Sequence, residues 1–202
     1  MGCSNSSHNC VSPKREECIT VPTKPSLTEQ QKKLLLNTWK ILQEDIAKVG
    51  VIMFIGVFEN HPECKESFLP FKELKRDDLR WSSELKAHGL RVMAVVERVL
   101  ARIHNDEKIE ELLRVLAGKH VQYGATPDLV DLFGPQFIHA IKPTLRDHWT
   151  EEIQIAWTTL FDLIIFHMQT NMKKIALENK ANGRKGTATR KVKKYTTRNG
   201  QA

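Results

Sequence analysis

From about residue 27 to residue 177 the apolar positions recur every three to four residues, the period of an amphipathic α-helix. Leu85, His88 and Val92 fall on one such face, and Ile109, Leu112, Leu113 and Leu116 on another. Strand-like alternation is absent. The pattern breaks near Gly50, at "NHPE" (60–63), across "FLPFKELKRDD" (68–78), near "HND" (104–106), at "YGATPD" (123–128) and near "HWTEE" (148–152). It predicts helices over 27–44, 46–60, 81–103, 107–121, 127–147 and 150–176, with a short turn near 62–68. In "SLTEQQ", Ser26 or Thr28 can cap the first of them. Residues 1–26 and 178–202 lack the periodicity and read as a disordered leader and tail around one all-α domain, 27–177.

Two consecutive long helices each turn an imidazole toward their apolar stripe. His88 shares a face with Leu85 and Val92, and His120 stands four residues beyond Leu116. The two are 32 residues apart, on helices that pack as neighbours if the turn between them is tight. A neutral imidazole from each side of a slot is a good ligand pair for iron. Two coincidental core histidines are the bland alternative, and His61, His104, His139, His148 and His167 show how easily one falls in a helix. A flat porphyrin also needs apolar walls. Phe54 and Phe58 supply one, Phe68 and Phe71 a second in the loop before the His88 helix, and Val92, Val95 and Val96 a third. Leu116, Leu129 and Phe133 can close the other side. Each alone is ordinary core; with two inward histidines they favour a haem slot.

Charge changes the picture at the ends. The net charge is +7, but residues 173–202 hold ten Lys/Arg against one acid, Glu178. Residues 1–172 then carry 21 Lys/Arg against 23 Asp/Glu, so the body is slightly acidic. A nucleic-acid-binding fold would wear its charge on a structured face, so no nucleic-acid partner is expected. The longest apolar run, "VIMFIGVF" at 51–58, is far short of the roughly 18 residues of a membrane span. The N-terminus has no signal-type apolar stretch, which predicts a reducing compartment for the four cysteines. Cys3, Cys10 and Cys18 lie in the leader and Cys64 alone in the body, without a CxxC. Cys64 therefore has no disulfide partner in the body; a redox pairing with Cys10 or Cys18 is the alternative.

The segments "LTEQQKKLLLNTWKIL", "VFENHPECKESFLPF", "LKAHGLRVM" and "LAGKHVQYG" resemble, in order, the landmark segments of the globin family, over about residues 26–172. The resemblance implies a globin fold, a three-on-three helical sandwich, around haem b. It implies that His120 is the proximal iron ligand and His88 the distal histidine, with Phe68 stacked on the haem, Phe54 roofing the distal pocket and Val92 beside His88. Trp39 matches a packing tryptophan of the first helix. The histidine spacing is similar to that of neuroglobin, and the leader and tail are similar to those of globin X, a membrane-associated globin. Both likenesses imply that His88 binds the iron directly, giving a six-coordinate bis-histidyl centre. The ligands implied are O₂, CO, NO and nitrite, and the protein is expected to be a monomer.

"MGCSNS" fits the N-myristoylation pattern, with Gly2 as acceptor, Ser6 in place and Cys3 as a palmitoyl site. One myristoyl chain holds a membrane only marginally, so a second signal is required. Cys3 is one, and the basic tail against an anionic inner leaflet is another; a merely solvated tail is its alternative. The expectation is a peripheral protein on the cytoplasmic face of the plasma membrane. Anchoring argues against bulk O₂ storage, the first competing role. The second is redox chemistry, including nitrite reduction with His88 as proton donor, or nitric oxide dioxygenation. With no flavin or Rossmann motif, its electrons would come from a separate reductase. Signalling of ligand state to a membrane partner is the third.

Overall fold

Side-chain caps set where the helices begin. In the computed structural model, which describes residues 23–67 and 76–181, Thr28 closes the start of α1 (Glu29–Leu42) by a reciprocal pair of bonds. Its Oγ1 accepts from the Gln31 amide at 3.2 Å, and Gln31 Oε1 accepts from the Thr28 amide at 2.8 Å. A 3₁₀ turn, Gln43–Asp45, leads into α2 (Ile46–Asn60), and another, Pro62–Ser67, follows it. After the short α3 (Arg76–Leu79), Ser82 Oγ accepts from the Leu85 amide at 3.1 Å and opens α4 (Ser83–Leu100). Asn105 Oδ1 accepts from the Lys108 amide at 2.9 Å and opens α5 (Asp106–Gln122). Pro127, whose missing N–H costs nothing in a first turn, starts α6 (Pro127–Asp131). α7 (Phe133–Leu145) and α8 (Glu151–Ala181) complete the chain; Thr150 Oγ1 accepts from the Ile153 amide at 3.3 Å at the head of α8.

Three expectations change. Gly50 is not a break: it lies inside α2, and the chain bends instead at Gln43–Asp45. The reason is tertiary. A Cβ on Gly50 would stand 2.9 Å from the backbone Cα and carbonyl carbon of Gly89 on α4, so the two helices cross backbone to backbone. The helix expected over 127–147 is two helices, interrupted at Leu132. Pro135 has no N–H for the Asp131 carbonyl four residues back, and its ring crowds that carbonyl. Finally α8 runs to Ala181, past residue 177, through Ala, Leu, Glu and Lys, all good helix formers. At the other end, Thr23–Thr28 is not helical, but Lys24 Nζ lies 3.2 Å from Asp106 Oδ2.

Among the described residues there is no strand, and the helices form two crossed layers of three. α2 packs on α4 and α7, α8 on α5, and α1 on α8 and α7. Trp157 of α8 is fully buried, and its indole N–H donates to Thr38 Oγ1 at 3.1 Å. The Thr38 hydroxyl in turn donates to the Leu34 carbonyl at 2.7 Å, so this buried polar chain is satisfied. Trp39 is buried with its ring centroid 6.3 Å from that of Trp157, a packing role as expected. Phe137 stacks on Phe161 at 4.1 Å and ties α7 to α8.

The exit of α7 is strained. Arg146 has φ 45° and ψ −120°, the one positive φ outside glycine among the described residues. Such a conformation costs a side-chain-bearing residue about 1–3 kcal/mol. Arg146→Gly should therefore raise stability by about 1 kcal/mol after the extra unfolded-state entropy of glycine is subtracted. In a chain of this size that is about 2–4 °C in melting temperature, read by circular dichroism. A loss of stability, as glycine causes at an ordinary exposed helical site, would contradict the strain.

Candidate haem site

The backbone contact at Gly50 and Gly89 brings the middle of α2 against the segment of α4 that carries His88. Phe54, one turn after Gly50, is fully buried there. Its ring centroid lies 4.9 Å from that of His88, edge on, 5.1 Å from that of Phe133 at the head of α7, and 6.0 Å from that of Phe58. One phenyl ring thus joins residues of α2, α4 and α7. Val92, Leu116, Leu129 and Phe133 are half-buried and pack against the same core. Phe68 and Phe71 lie outside the described residues, as do Gly2 and Cys3.

His88 is half-buried, and its pKa is pushed down to about 4. Burial is the main cause; the Arg91 guanidinium and the proximity of His120 add to it. At neutral pH this imidazole is uncharged, and His120 is near enough for its charge to be felt there. The Nδ1 atoms of the two rings are engaged in opposite senses. His120 Nδ1 lies 3.0 Å from the Leu116 carbonyl, which can only accept, so Nδ1 carries the proton and Nε2 keeps a lone pair. His88 Nδ1 lies 3.3 Å from Arg91 Nη2, which can only donate, so Nδ1 accepts and the proton sits on Nε2. His120 therefore offers a lone pair and His88 an N–H. Fixing one ring nitrogen to a backbone carbonyl is how ligating histidines are oriented and made more basic.

Arg91 was missed in the sequence, although its place three residues after His88 puts it on the same helix face. The glycine crossing was missed too. The remaining histidines stand apart: His104, His139 and His148 are exposed, and His61 pairs with Glu63 at 3.5 Å. His167 is buried on α8 beside Phe166. Cys64 is buried and free, and burial pushes its thiol pKa up, which suppresses the reactive thiolate; Cys10 and Cys18 lie outside the described residues.

The family model for globins matches residues 52–168, more than half of the chain. The chain belongs to the globin family. This globin is 24% identical over 157 residues to cytoglobin-2 of Oryzias latipes, covering 76% of this chain and 88% of that protein. It is also 24% identical over 149 residues to an anaerobic nitrite reductase of Gossypium hirsutum, covering 72% and 91%. Among solved structures it is similar to a hexacoordinated haem protein from an anhydrobiotic tardigrade, determined at pH 4. The TM-score is 0.69 at 20% identity, over 73% of this chain and 96% of that one. As a globin it binds haem and, there, diatomic ligands such as O₂. The residues fit that group: a lone pair on the half-buried His120, a neutral imidazole on His88, and apolar aromatic rings, Phe54 and Phe133, beside His88.

Proposed function

We propose that this globin holds haem b through His120 Nε2, with His88 as a reversible second ligand, and that its working role is redox chemistry on small ligands, nitrite among them. The observation that carries the reading is the opposed hydrogen bonding of the two imidazoles. His120 is committed to donating at Nδ1, so its lone pair is always available. His88 is disposed the other way, with Nδ1 accepting from Arg91. To bind iron instead it must move its proton to Nδ1 and give up the bond from Arg91.

Bound haem would supply reversible one-electron chemistry. Reduction of nitrite to nitric oxide takes one electron and two protons and yields water, and the neutral His88 would relay one of the protons, Nε2 giving up its own as Nδ1 takes one from solvent. The Gossypium relative is named for that activity, and the tardigrade protein is described as hexacoordinated; both support the reading. A separate reductase returns the electron. We further propose, from the leader and tail that resemble globin X, that the protein is held at the inner face of the plasma membrane by acyl groups on Gly2 and Cys3, assisted by the basic tail.

The test is the absorption spectrum of the deoxygenated ferrous protein. Sharp, split visible bands are expected for two histidine ligands; one broad band would mean an open site and would remove His88 as a ligand. His88→Leu should convert the first spectrum to the second. If the closed form is favoured about 100-fold, ligand affinity rises by that factor, about 2.7 kcal/mol, when it is removed. Flash-photolysis rebinding of CO reads this directly. Equal CO rebinding in wild type and His88→Leu would sink the competition. Slow oxidation of the ferrous protein by nitrite, unchanged in His88→Leu, would count against the proton-donor role.

A further inference from the structure

An open cleft of about 640 Å³ runs between α7 and α8. None of Phe54, His88, Val92, Leu116, Leu129 or His120 lines it. Its apolar lining comes from Ile138 on α7 and from Phe161, Ile165 and Phe166 on α8. Ile138, Ile165 and Phe166 are only half-buried, so this apolar surface is open to water. The cleft's size falls within the range of about 300–1,000 Å³ of pockets that enclose small organic ligands. Thr23 and Pro25, the start of the described chain, form part of its wall. The leader therefore departs from the cleft itself.

We propose that this cleft receives the fourteen-carbon acyl chain carried on Gly2, so that the globin stows its own anchor when it is off the membrane. The inference rests on the acylation reading above. Gly2 stands 21 residues before Thr23, and a leader of that length reaches anywhere in a cleft that its own end borders. Tethering makes the docking intramolecular, with an effective concentration on the order of millimolar, so a shallow apolar cleft suffices. Charge does not draw the leader peptide in: the lining mixes Asp131 and Asp162 with Lys173, and the leader's Lys14 and Arg15 balance its Glu16 and Glu17. The open apolar surface of Ile138, Ile165 and Phe166 suits a neutral hydrocarbon instead. Until Cys3 is acylated the single myristoyl chain binds bilayers only marginally, so a competing site in the protein is enough to make that first attachment reversible.

The test uses the full chain, co-expressed with an N-myristoyltransferase and fed a fourteen-carbon acid bearing a photoreactive diazirine. Intact mass reports acylation, and photoproducts are mapped by peptide mass with and without phosphatidylserine/phosphatidylcholine vesicles. Without vesicles the label is expected on α7 and α8 residues of the cleft; with vesicles that labelling should fall at least severalfold. Ile165→Glu, and independently Thr158→Trp at the exposed rim, should abolish the cleft label and raise vesicle pelleting severalfold, with the haem spectrum unchanged. Acylated protein whose label avoids the cleft overturns this inference alone. Absence of the acyl mass on Gly2 overturns the anchoring reading and this inference with it. Equal cleft labelling by the free photoreactive acid added to unacylated protein would assign the cleft to free fatty acid and also overturn it.

Discussion

His120→Ala is expected to purify nearly free of haem. The substitution removes the one imidazole whose Nδ1 is held by a backbone carbonyl, 3.0 Å away, and with it the permanently available lone pair. Loss of a mere orienting partner typically lowers metal affinity about 10–100-fold; loss of the ligand itself should exceed that. His88 alone should hold the group only weakly, because each binding event costs it the bond from Arg91 and a proton shift. The Soret-to-protein absorbance ratio of the purified protein, and the rate of haem transfer to an apo-globin acceptor, measure the effect. His120→Gly with imidazole in the buffer should regain a haem spectrum, because a free imidazole fills the vacated volume. Full haem occupancy with an unaltered spectrum in His120→Ala would rule out the assignment. The fold should survive, since His120 is only half-buried at the end of α5 and the fully buried residues of that helix are Ile109, Leu113 and Ala117.

Gly50→Ala should be the most destabilising single methyl in the protein, and Gly89→Ala nearly as costly. In a helix, alanine is normally better than glycine by about 1 kcal/mol. Here the added Cβ would sit 2.9 Å from the Cα and carbonyl carbon of Gly89, or 3.0 Å from the carbonyl carbon of Gly50 in the reverse case. Neither obstacle is a side chain that can swing aside. Forcing the helices apart costs about 1–3 kcal/mol net, the usual range for overpacking, or roughly 2–12 °C in melting temperature. Gly118→Ala is the internal control. Its Cβ would meet only Ile175 Cδ1, at 3.9 Å, so it should gain the helical preference and become slightly more stable. Thermal melts of the three apo variants decide it. Equal behaviour of Gly50→Ala and Gly118→Ala would refute the backbone contact.

Much of this architecture was legible because its causes are local. Thr28, Ser82, Asn105 and Thr150 announce helix starts by chemistry that acts within three residues. His88 and His120 were legible as a pair because each lies on the apolar stripe of its own helix. The errors have causes at longer range or in an overlooked rule. Gly50 looked like punctuation because glycine usually is; only the presence of Gly89 across the crossing makes it structural. Pro135 was visible, and its conflict with the carbonyl of Asp131 could have been read from the spacing alone. Arg91 was visible too, but a surface arginine one turn from a histidine means nothing until the histidine is known to face inward. The last turn of α8 is not legible because the apolar period lapses after Leu177, whereas Glu178, Lys180 and Ala181 sustain a helix without it.

The bare crossing of α2 and α4 also sets the kind of motion open to the distal side. With backbone against backbone at Gly50 and Gly89 there is no layer of side chains to shear, so α4 can pivot at that point but cannot glide along its neighbour. His88 is the residue next to the pivot, where the lever arm is shortest. Any exchange between its two bonding states must then come from rotation of its own ring and from a proton changing nitrogen, not from travel of the helix. Side-chain rotations belong to a faster clock than collective helix shifts, which run in microseconds to milliseconds. The coordination switch proposed for His88 would thereby be decoupled from the frame that carries it, the ring turning while the frame stays rigid.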